Sequence, residues 1–329
     1  MILVTGAAGH LGNVLVRELV ERGETVRALL LPGEDRTPLG DLPIEQIEAD
    51  ILDYPALSNA FRGINTVYHL AGIISILPGQ NPVLRMVNVL GTRNVIHASL
   101  EHGVRRMVYT SSIHALRRLS HGVVIDEKVP FDPEAAISSY DQSKAQASLE
   151  VLKAVPLGLN AVIACPTGII GPYDFRLSEM GKIILDCLEQ KPQLYVDGAY
   201  DFVDVRDVAQ GLILANQQGK RGETYILSGE QLTVRRLLDS IKQITGKGFV
   251  RIRLPFRLAQ LVAKVTPLYY RLTRTKPRFT PYSLETLAGN SVISFEKARR
   301  ELGYSPRPLS VTIADTIRWF IQNKSLLPA

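Results

Sequence analysis

Tyr140 and Lys144 stand four residues apart in SSYDQSKAQAS, residues 138–148. Four residues is about one helical turn, so in a helix the phenol and the ammonium share a face. Such a pair is an acid-base group with a charge to tune it, or the decoration of a solvated surface, and the rest of the chain decides which. A second group bears on the choice. Gly6, Gly9 and Gly12 in VTGAAGHLG follow an apolar run and open an amphipathic one. Glycines there allow a sharp turn, a close approach of backbone N–H groups to a pyrophosphate and tight packing of helix on strand, and the helix end adds a positive dipole. The stretch reads as a dinucleotide cradle lined by Gly6, Ala8, Gly9, His10, Leu11 and Gly12.

Which dinucleotide it takes depends on the end of the second strand, where a carboxylate suits the ribose of NAD and a basic residue the 2′-phosphate of NADP. The run TVRALLL ends in Leu29, Leu30 and Leu31 and passes into PGEDR. Glu34 or Asp35 suits one role and Arg36 the other. With no carboxylate at Leu30 to repel a 2′-phosphate, the reading leans to NADP(H) over NAD(H).

The elements that must position these residues follow from periodicity. Apolar runs (MILVTG, TVRALLL, IEQIEA, TVYHLAG, RRMVYTSS, LNAVIACPTG, GETYILSG) alternate with amphipathic stretches such as LGNVLVRELVERG and VLRMVNVLGTRNVIHASLEHG, each closed by a glycine. Alternation of this kind predicts right-handed crossovers and an α/β fold, a doubly wound parallel sheet with helices on both faces. Beyond residue 229 the strand runs stop and helical patterns take over, which predicts a smaller, mostly helical C-terminal substrate region. The dinucleotide-binding Rossmann domain is expected over 1–170 and 201–228, and the substrate-binding domain over 171–200 and 229–329.

Composition narrows the classes. The chain has 329 residues, 46% hydrophobic and 21% charged, which suits a globular fold with a sizeable core. No run approaches the ~20 apolar residues of a membrane span, and an apolar strand starts at Met1 without a basic leader, so a cytoplasmic location is expected. Cys165 and Cys187 have no metal spacing and read as small core residues. Ten of the basic residues fall between Ser240 and Leu284, with no Asp or Glu among them. No nucleic-acid motif accompanies them, so nucleic acid is not an expected partner. The stretch reads first as a lid over the substrate cleft, then as an anion site or a contact with an acidic membrane surface.

Glycine triplet, serines of VYTSSIHAL and Tyr-Lys pair, in this order, together with EADILD, VYHLAG, VNVLGTRNV, CPTGIIGPYD, DFVDVRDVAQG and EKARRELGYSPRPL, resemble the extended short-chain dehydrogenase/reductase (NAD-dependent epimerase/dehydratase) family over nearly the whole chain. The closest likeness is to its dihydroflavonol 4-reductase-like and 3β-hydroxysteroid dehydrogenase-like branch. The resemblance implies a catalytic triad of Ser112, Tyr140 and Lys144, with Ser111 the less favoured serine. It implies Asp50 and Ile51 at the adenine, Leu70, Ala71 and Gly72 beside ribose and phosphates, Pro166 and Thr167 beside the nicotinamide, and Asn88 in support. It also implies a small carbonyl or alcohol substrate and is compatible with a homodimer through the helices after the fourth and fifth strands.

The implied chemistry is hydride transfer between a ketone or aldehyde and an alcohol. A phenol with an ordinary pKa near 10 needs its anion stabilised to exchange protons near neutrality, and Lys144 is expected to lower it. Ser112 would hold the substrate oxygen. A dehydratase is disfavoured because SSIHA lacks the extra acid and base that elimination needs; a nucleotide-sugar epimerase is the alternative, and a non-catalytic NADP(H) sensor a third reading. His114 and His121 read first as polar loop contacts, with His114 near enough to line the substrate pocket. Asp204, Arg206 and Asp207 read as a helix cap and ion pairs between domains.

Overall fold

A computed structural model describes residues 1–75, 82–263 and 280–327. Each of the seven apolar runs forms a strand: β1 (Ile2–Thr5), β2 (Val26–Leu30), β3 (Glu45–Glu48), β4 (Thr66–His69), β5 (Arg106–Thr110), β6 (Ala161–Pro166) and, after the short strands β7 (Gly168–Ile170), β8 (Gln193–Tyr195) and β9 (Ala199–Asp204), β10 (Thr224–Leu227). They make one sheet in the order β10-β6-β5-β4-β1-β2-β3, every neighbour parallel. The central strands β1 and β6 are buried along their whole length, as strands covered on both faces must be. β3 closes one edge and carries charge there, with Arg27 on Glu45 at 2.9 Å.

Helices cover both faces. On one side α1 (His10–Glu21) and α7 (Val205–Gln218) pack through Val14, Leu15, Val208 and Leu212; on the other α2 (Tyr54–Ala60), α4 (Thr92–Glu101) and α5 (Ser139–Ala154) pack through Leu57, Val95 and Val151. Strand order reverses between β1 and β4, which opens a crevice outside their carboxyl ends.

The amphipathic stretch that reads as one helix over 82–101 carries a wider turn. Between α3 (Pro82–Arg85) and α4, residues Met86–Gly91 form a π-helical segment. The extra residue per turn aims Asn88 inward, where it is 1% exposed. Gly91 sits in the same turn because Ile51 occupies the space a side chain would need, its Cδ1 being 2.4 Å from where a Cβ would fall.

The remaining elements form a second body. β7 and β9 join β11 (Glu230–Thr233) in the order β11-β9-β7, and β8 pairs with β12 (Arg251–Arg253). Helices α6 (Glu179–Leu188), α8 (Val234–Thr245) and Leu309–Gln322 enclose a core of Ile184, Leu238, Ile313 and Phe320. The expectation that strands end near residue 229 is corrected by β11 and β12. Neither has an apolar run to announce it: β11 buries Leu232 alone and β12 is exposed throughout, so both are strands because β9 and β8 offer a free edge. The basic stretch as far as 263 holds part of α8, β12 and a helix over 256–263, and its remainder up to 279 lies outside the described residues. Cys165 and Cys187 are buried and unpaired with each other.

The turn between β1 and α1 fixes the mouth of the crevice. Gly6 has φ +70°, and a Cβ there would meet Ala71 N at 2.8 Å; a Cβ on Gly12 would lie 2.0 Å from Gly6 O. Helix and turn therefore touch backbone to backbone. Gly12→Ala is expected to cost about 3 kcal/mol, as an overpacked contact between rigid elements. Gly63→Ala, strained but with open space around it, should cost less than that. Urea unfolding of the two variants checks the order.

Candidate active site

α5 begins where the Ser138 side chain accepts from Asp141 N at 3.0 Å. Its inward face is built of Ala145, Ala147 and Ser148, small enough to lie close on the sheet. Tyr140 and Lys144 occupy the same buried face. The Lys144 ammonium donates to Thr110 O at 2.6 Å and lies 4.7 Å from the centre of the Tyr109 ring. No carboxylate pairs with it among the described residues, and burial pulls its pKa from 10.5 down to about 8.

Tyr140 goes the other way. Burial pushes its phenol up to about 12, while the nearby Ser112 hydroxyl pulls it down and the neighbouring Asp141 charge adds to the rise. The Lys144 ammonium, on the same helical face, has Thr110 O and the Tyr109 ring as its partners.

β5 ends in two serines that part company. Ser111 Oγ meets Ser148 Oγ at 2.6 Å, and Ser148 donates to Lys144 O, so Ser111 is tied to the inner face of α5. Ser112 caps a short 3-10 turn, Ile113–Ala115, through His114 N at 3.2 Å and reaches the phenol.

Asn88 joins this set to the cofactor crevice. Its Oδ1 accepts from Ile73 N at 2.8 Å, and its Nδ2 donates to Ile73 O and to Ser143 Oγ, which donates to Tyr140 O. Gly72 has no side chain where one would come within 3.1 Å of Asn88 Oδ1. One amide thus sets the spacing between the loop after β4 and the first turn of α5.

Two further groups bring in residues not singled out in the sequence: His69, and Tyr200 and Tyr282 beside His114. His69, at the end of β4, is fully buried, and burial takes its pKa down to about 3, so the ring is neutral. Thr92 gives its proton to Asn88 O and so accepts from His69 Nε2 at 3.0 Å; His69 Nδ1 is then the acceptor for the Thr5 hydroxyl at 2.8 Å, which accepts from Ala71 N. That directed chain binds β1, β4 and α4 behind the crevice. A polar residue inside the buried run TVYHLAG is its one sequence signal. The second group is aromatic. His114 Nε2 meets Tyr200 OH at 2.7 Å, and Tyr282 donates to Asp141 Oδ1 at 2.7 Å while Arg118 approaches the same carboxylate at 3.3 Å. His114 is buried and held neutral, its pKa lowered to about 4. Residues from β9 and from the helix Pro281–Ala288 so wall the approach to Ser112 and Tyr140; His121 is exposed and lines a cavity with Ala199, Leu287 and Ala288.

The cradle fits a dinucleotide. Gly9 caps α1 with no side-chain hydrogen bond, whereas Asp53, Ser138, Ser178, Asp204 and Thr233 cap theirs, so the amide donors at the start of α1 are open to an anion. Ala8 is buried beneath the turn; His10 donates to Pro172 O at 2.9 Å, with Leu11 behind it on the core. Asp50 accepts from Leu52 N, Ile51 O accepts from Asn94, and Leu70 and Ala71 line the opposite wall through Thr5. Pro166 ends β6, and Thr167 donates to Asp201 at 2.6 Å, a carboxyl raised by burial to about 6. At the end of β2, Arg36 is exposed and pairs with Glu48 at 2.6 Å, while Glu34 accepts from Leu31 N and pairs with Arg176. Asp204 caps α7 through Arg206 N, and Arg206 and Arg307 link Asp204, Asp207 and Asp315.

A doubly wound sheet with an uncapped glycine turn where strand order reverses is dinucleotide-binding architecture. The chain belongs to the NAD dependent epimerase/dehydratase family, whose profile matches residues 2–228, and is an NAD(P)-dependent oxidoreductase of these extended short-chain dehydrogenase/reductases. It is 37% identical over 322 residues to sterol demethylase protein B of Methylococcus capsulatus, covering 97% of each chain. It is 34% identical to a putative dihydroflavonol 4-reductase of Synechocystis, covering 96% of this chain and 93% of that one. The crystal structure of gox2253 matches with a TM-score of 0.85 at 35% identity, over 100% of this chain and 99% of that one.

Two outcomes follow from the geometry. Lys144→Met removes a buried charge whose pKa is lowered from 10.5 to about 8. Between those values the unfolded chain binds a proton that the folded one does not, so the parent gains stability as pH rises through that window. At pH 7 the variant should be the more stable in thermal melts, by on the order of 1–3 kcal/mol, and the difference should shrink toward pH 10. Ser112→Ala is expected to lose roughly a hundredfold in turnover, whereas Ser111→Ala should cost roughly 1 kcal/mol of stability and retain most of its turnover.

Proposed function

We propose that this protein reduces a ketone or aldehyde to an alcohol, and catalyses the reverse oxidation, on a mid-sized, largely apolar substrate held between the seven-stranded Rossmann body and the smaller body built on β7, β9 and β11. The burial of the Tyr140 phenol and the Lys144 ammonium on one face of α5, with Ser112 buried at the end of β5, carries this reading. NADP(H) or NAD(H), bound across the glycine turn, supplies or accepts the hydride. Ser112 donates to the carbonyl oxygen and orients it. Tyr140 passes its proton to that oxygen as it gains charge, and Lys144 supplies the buried positive charge that favours the phenolate left behind.

A phenol pushed up to about 12 is protonated throughout the neutral range, the state a proton donor needs for the reductive half of the reaction; the ratio of reduced to oxidised cofactor sets the net direction. NADP(H) is the proposed cofactor: Leu30 brings no carboxylate to the end of β2, and Arg36 is the cation at hand for a 2′-phosphate, with Glu48 competing for it. An apolar substrate accords with the wall of His114, Tyr200 and Tyr282 and with the names of the two relatives, one a sterol demethylase protein and one a dihydroflavonol 4-reductase.

Tyr140→Phe should bind NADPH as the parent does, by fluorescence titration, and lose roughly 10²–10⁴ in turnover; normal turnover would remove the assigned acid. Reductive kcat/KM should fall as pH rises through about 8, where Lys144 loses its proton, and residual activity of Lys144→Arg should lack that limb. A screen of apolar ketones and aldehydes against UDP-sugars separates this reading from that of a nucleotide-sugar epimerase.

A further inference from the structure

Six large apolar side chains stand in solvent within nineteen residues of this chain. Ile244, Val250, Ile252, Leu258, Leu261 and Val262 are all exposed, Val250 at 59% and Leu261 at 61%. Leu194 on β8 is exposed as well and stands in register beside Ile252 on β12. Register partners in a parallel pair project to the same side, so this small sheet turns an apolar face outward.

The helix over 256–263 packs Phe256 inward but leaves most of its other large apolar residues outside. Ala259 and Ala263, four apart, are buried against Val196 and Leu284, while Leu258, Leu261 and Val262 face solvent. A helix stabilised by its own protein puts its large apolar residues inward and its small or polar ones outward. Contiguous exposed apolar side chains of this kind mark a surface that meets something else.

Charge identifies the occupant. From Ser240 to Leu284 the sequence holds ten Lys or Arg and no Asp or Glu. Lys242, Lys247, Arg251, Arg253 and Arg257 lie on the described part. Arg251 and Arg253 pair with Asp239 and Asp197, carboxylates from outside the stretch. Cations interleaved with Leu, Ile and Val match a surface that is anionic at its skin and apolar just beneath, which is a bilayer of acidic lipid. Nucleic acid offers the anions without the apolar layer. We propose that residues 244–262, with Leu194, form a peripheral docking face that lies on an anionic lipid bilayer. It lies on the bilayer without crossing it, since no helix among the described residues is long and apolar enough to span. On the apolar-substrate reading above, such a face would bring the cleft to where the substrate dissolves. The docking stands or falls separately from that reading, because it is measured without turnover.

The test uses the full chain and sedimentation with large vesicles of phosphatidylcholine, alone or with one third phosphatidylglycerol. Partition onto the anionic vesicles should be stronger by at least about tenfold and should weaken as salt is raised. The double variant Leu258→Gln, Leu261→Gln should lose roughly tenfold in partition while its thermal melt and NADPH titration match the parent. Both positions are exposed, so folding is not at risk. Equal binding to neutral vesicles, absence of binding to either, or a double variant that binds like the parent would overturn the proposal. So would a dimer in sedimentation velocity that the double variant dissolves without any lipid binding, which would assign the face to a second copy of the chain.

Discussion

A positive charge is buried beneath the first turns of α5 with no carboxylate beside it among the described residues, and the packing around it holds it there. The Lys144 ammonium has a carbonyl from the end of β5 and the face of Tyr109 as its partners. Burying a cation in this way costs stability, and the lowered pKa is the measure of that cost. The helix that carries it can approach the sheet because its inner face is Ala, Ala and Ser. The bond between Ser148 and Ser111 then fixes how the chain leaves β5, so that the next residue, Ser112, turns to the phenol. A site of this kind trades stability for readiness: the cation is poised near neutrality and the phenol is protonated, each held from its ordinary value by the same dryness.

The rest of the crevice is held by two hydrogen-bonded hubs. Asn88, turned inward by a π-helical segment, spans the loop after β4 and the first turn of α5. His69 links β1, β4 and α4 in a chain whose donors and acceptors are all assigned by the neutrality of the ring. Fully satisfied buried networks of this sort are stiff. They keep the glycine turn and the phenol at a fixed separation, and neither needs a charge to do so.

The C-terminal part of the chain works under a different constraint. Its cores are smaller, its added sheets are two- and three-stranded, and it leaves large apolar side chains outside. Arg206, Arg307 and their carboxylates fasten it to the sheet, and the bond from Tyr282 to Asp141 brings it against the residue that follows the phenol.

The sequence by itself determined what short-range spacing and periodicity can carry. Seven apolar runs gave seven parallel strands, the glycine triplet gave the turn between β1 and α1, and Tyr140 and Lys144 fell on one helical face because four residues make a turn. Tertiary structure decided the rest, because the deciding partners are far away in the chain. Thr5 and His69 are 64 residues apart, His114 and Tyr200 86, and Asp141 and Tyr282 141, and no local pattern encodes such pairs. The choice between Ser111 and Ser112 as partner of the phenol rested on a contact with Ser148. β11 and β12 were illegible because polar residues become strands when a neighbouring edge leaves its hydrogen bonds unmet. That the Lys144 ammonium meets Thr110 O and the Tyr109 ring could not be read from spacing, since one helical face still allows a long side chain several partners.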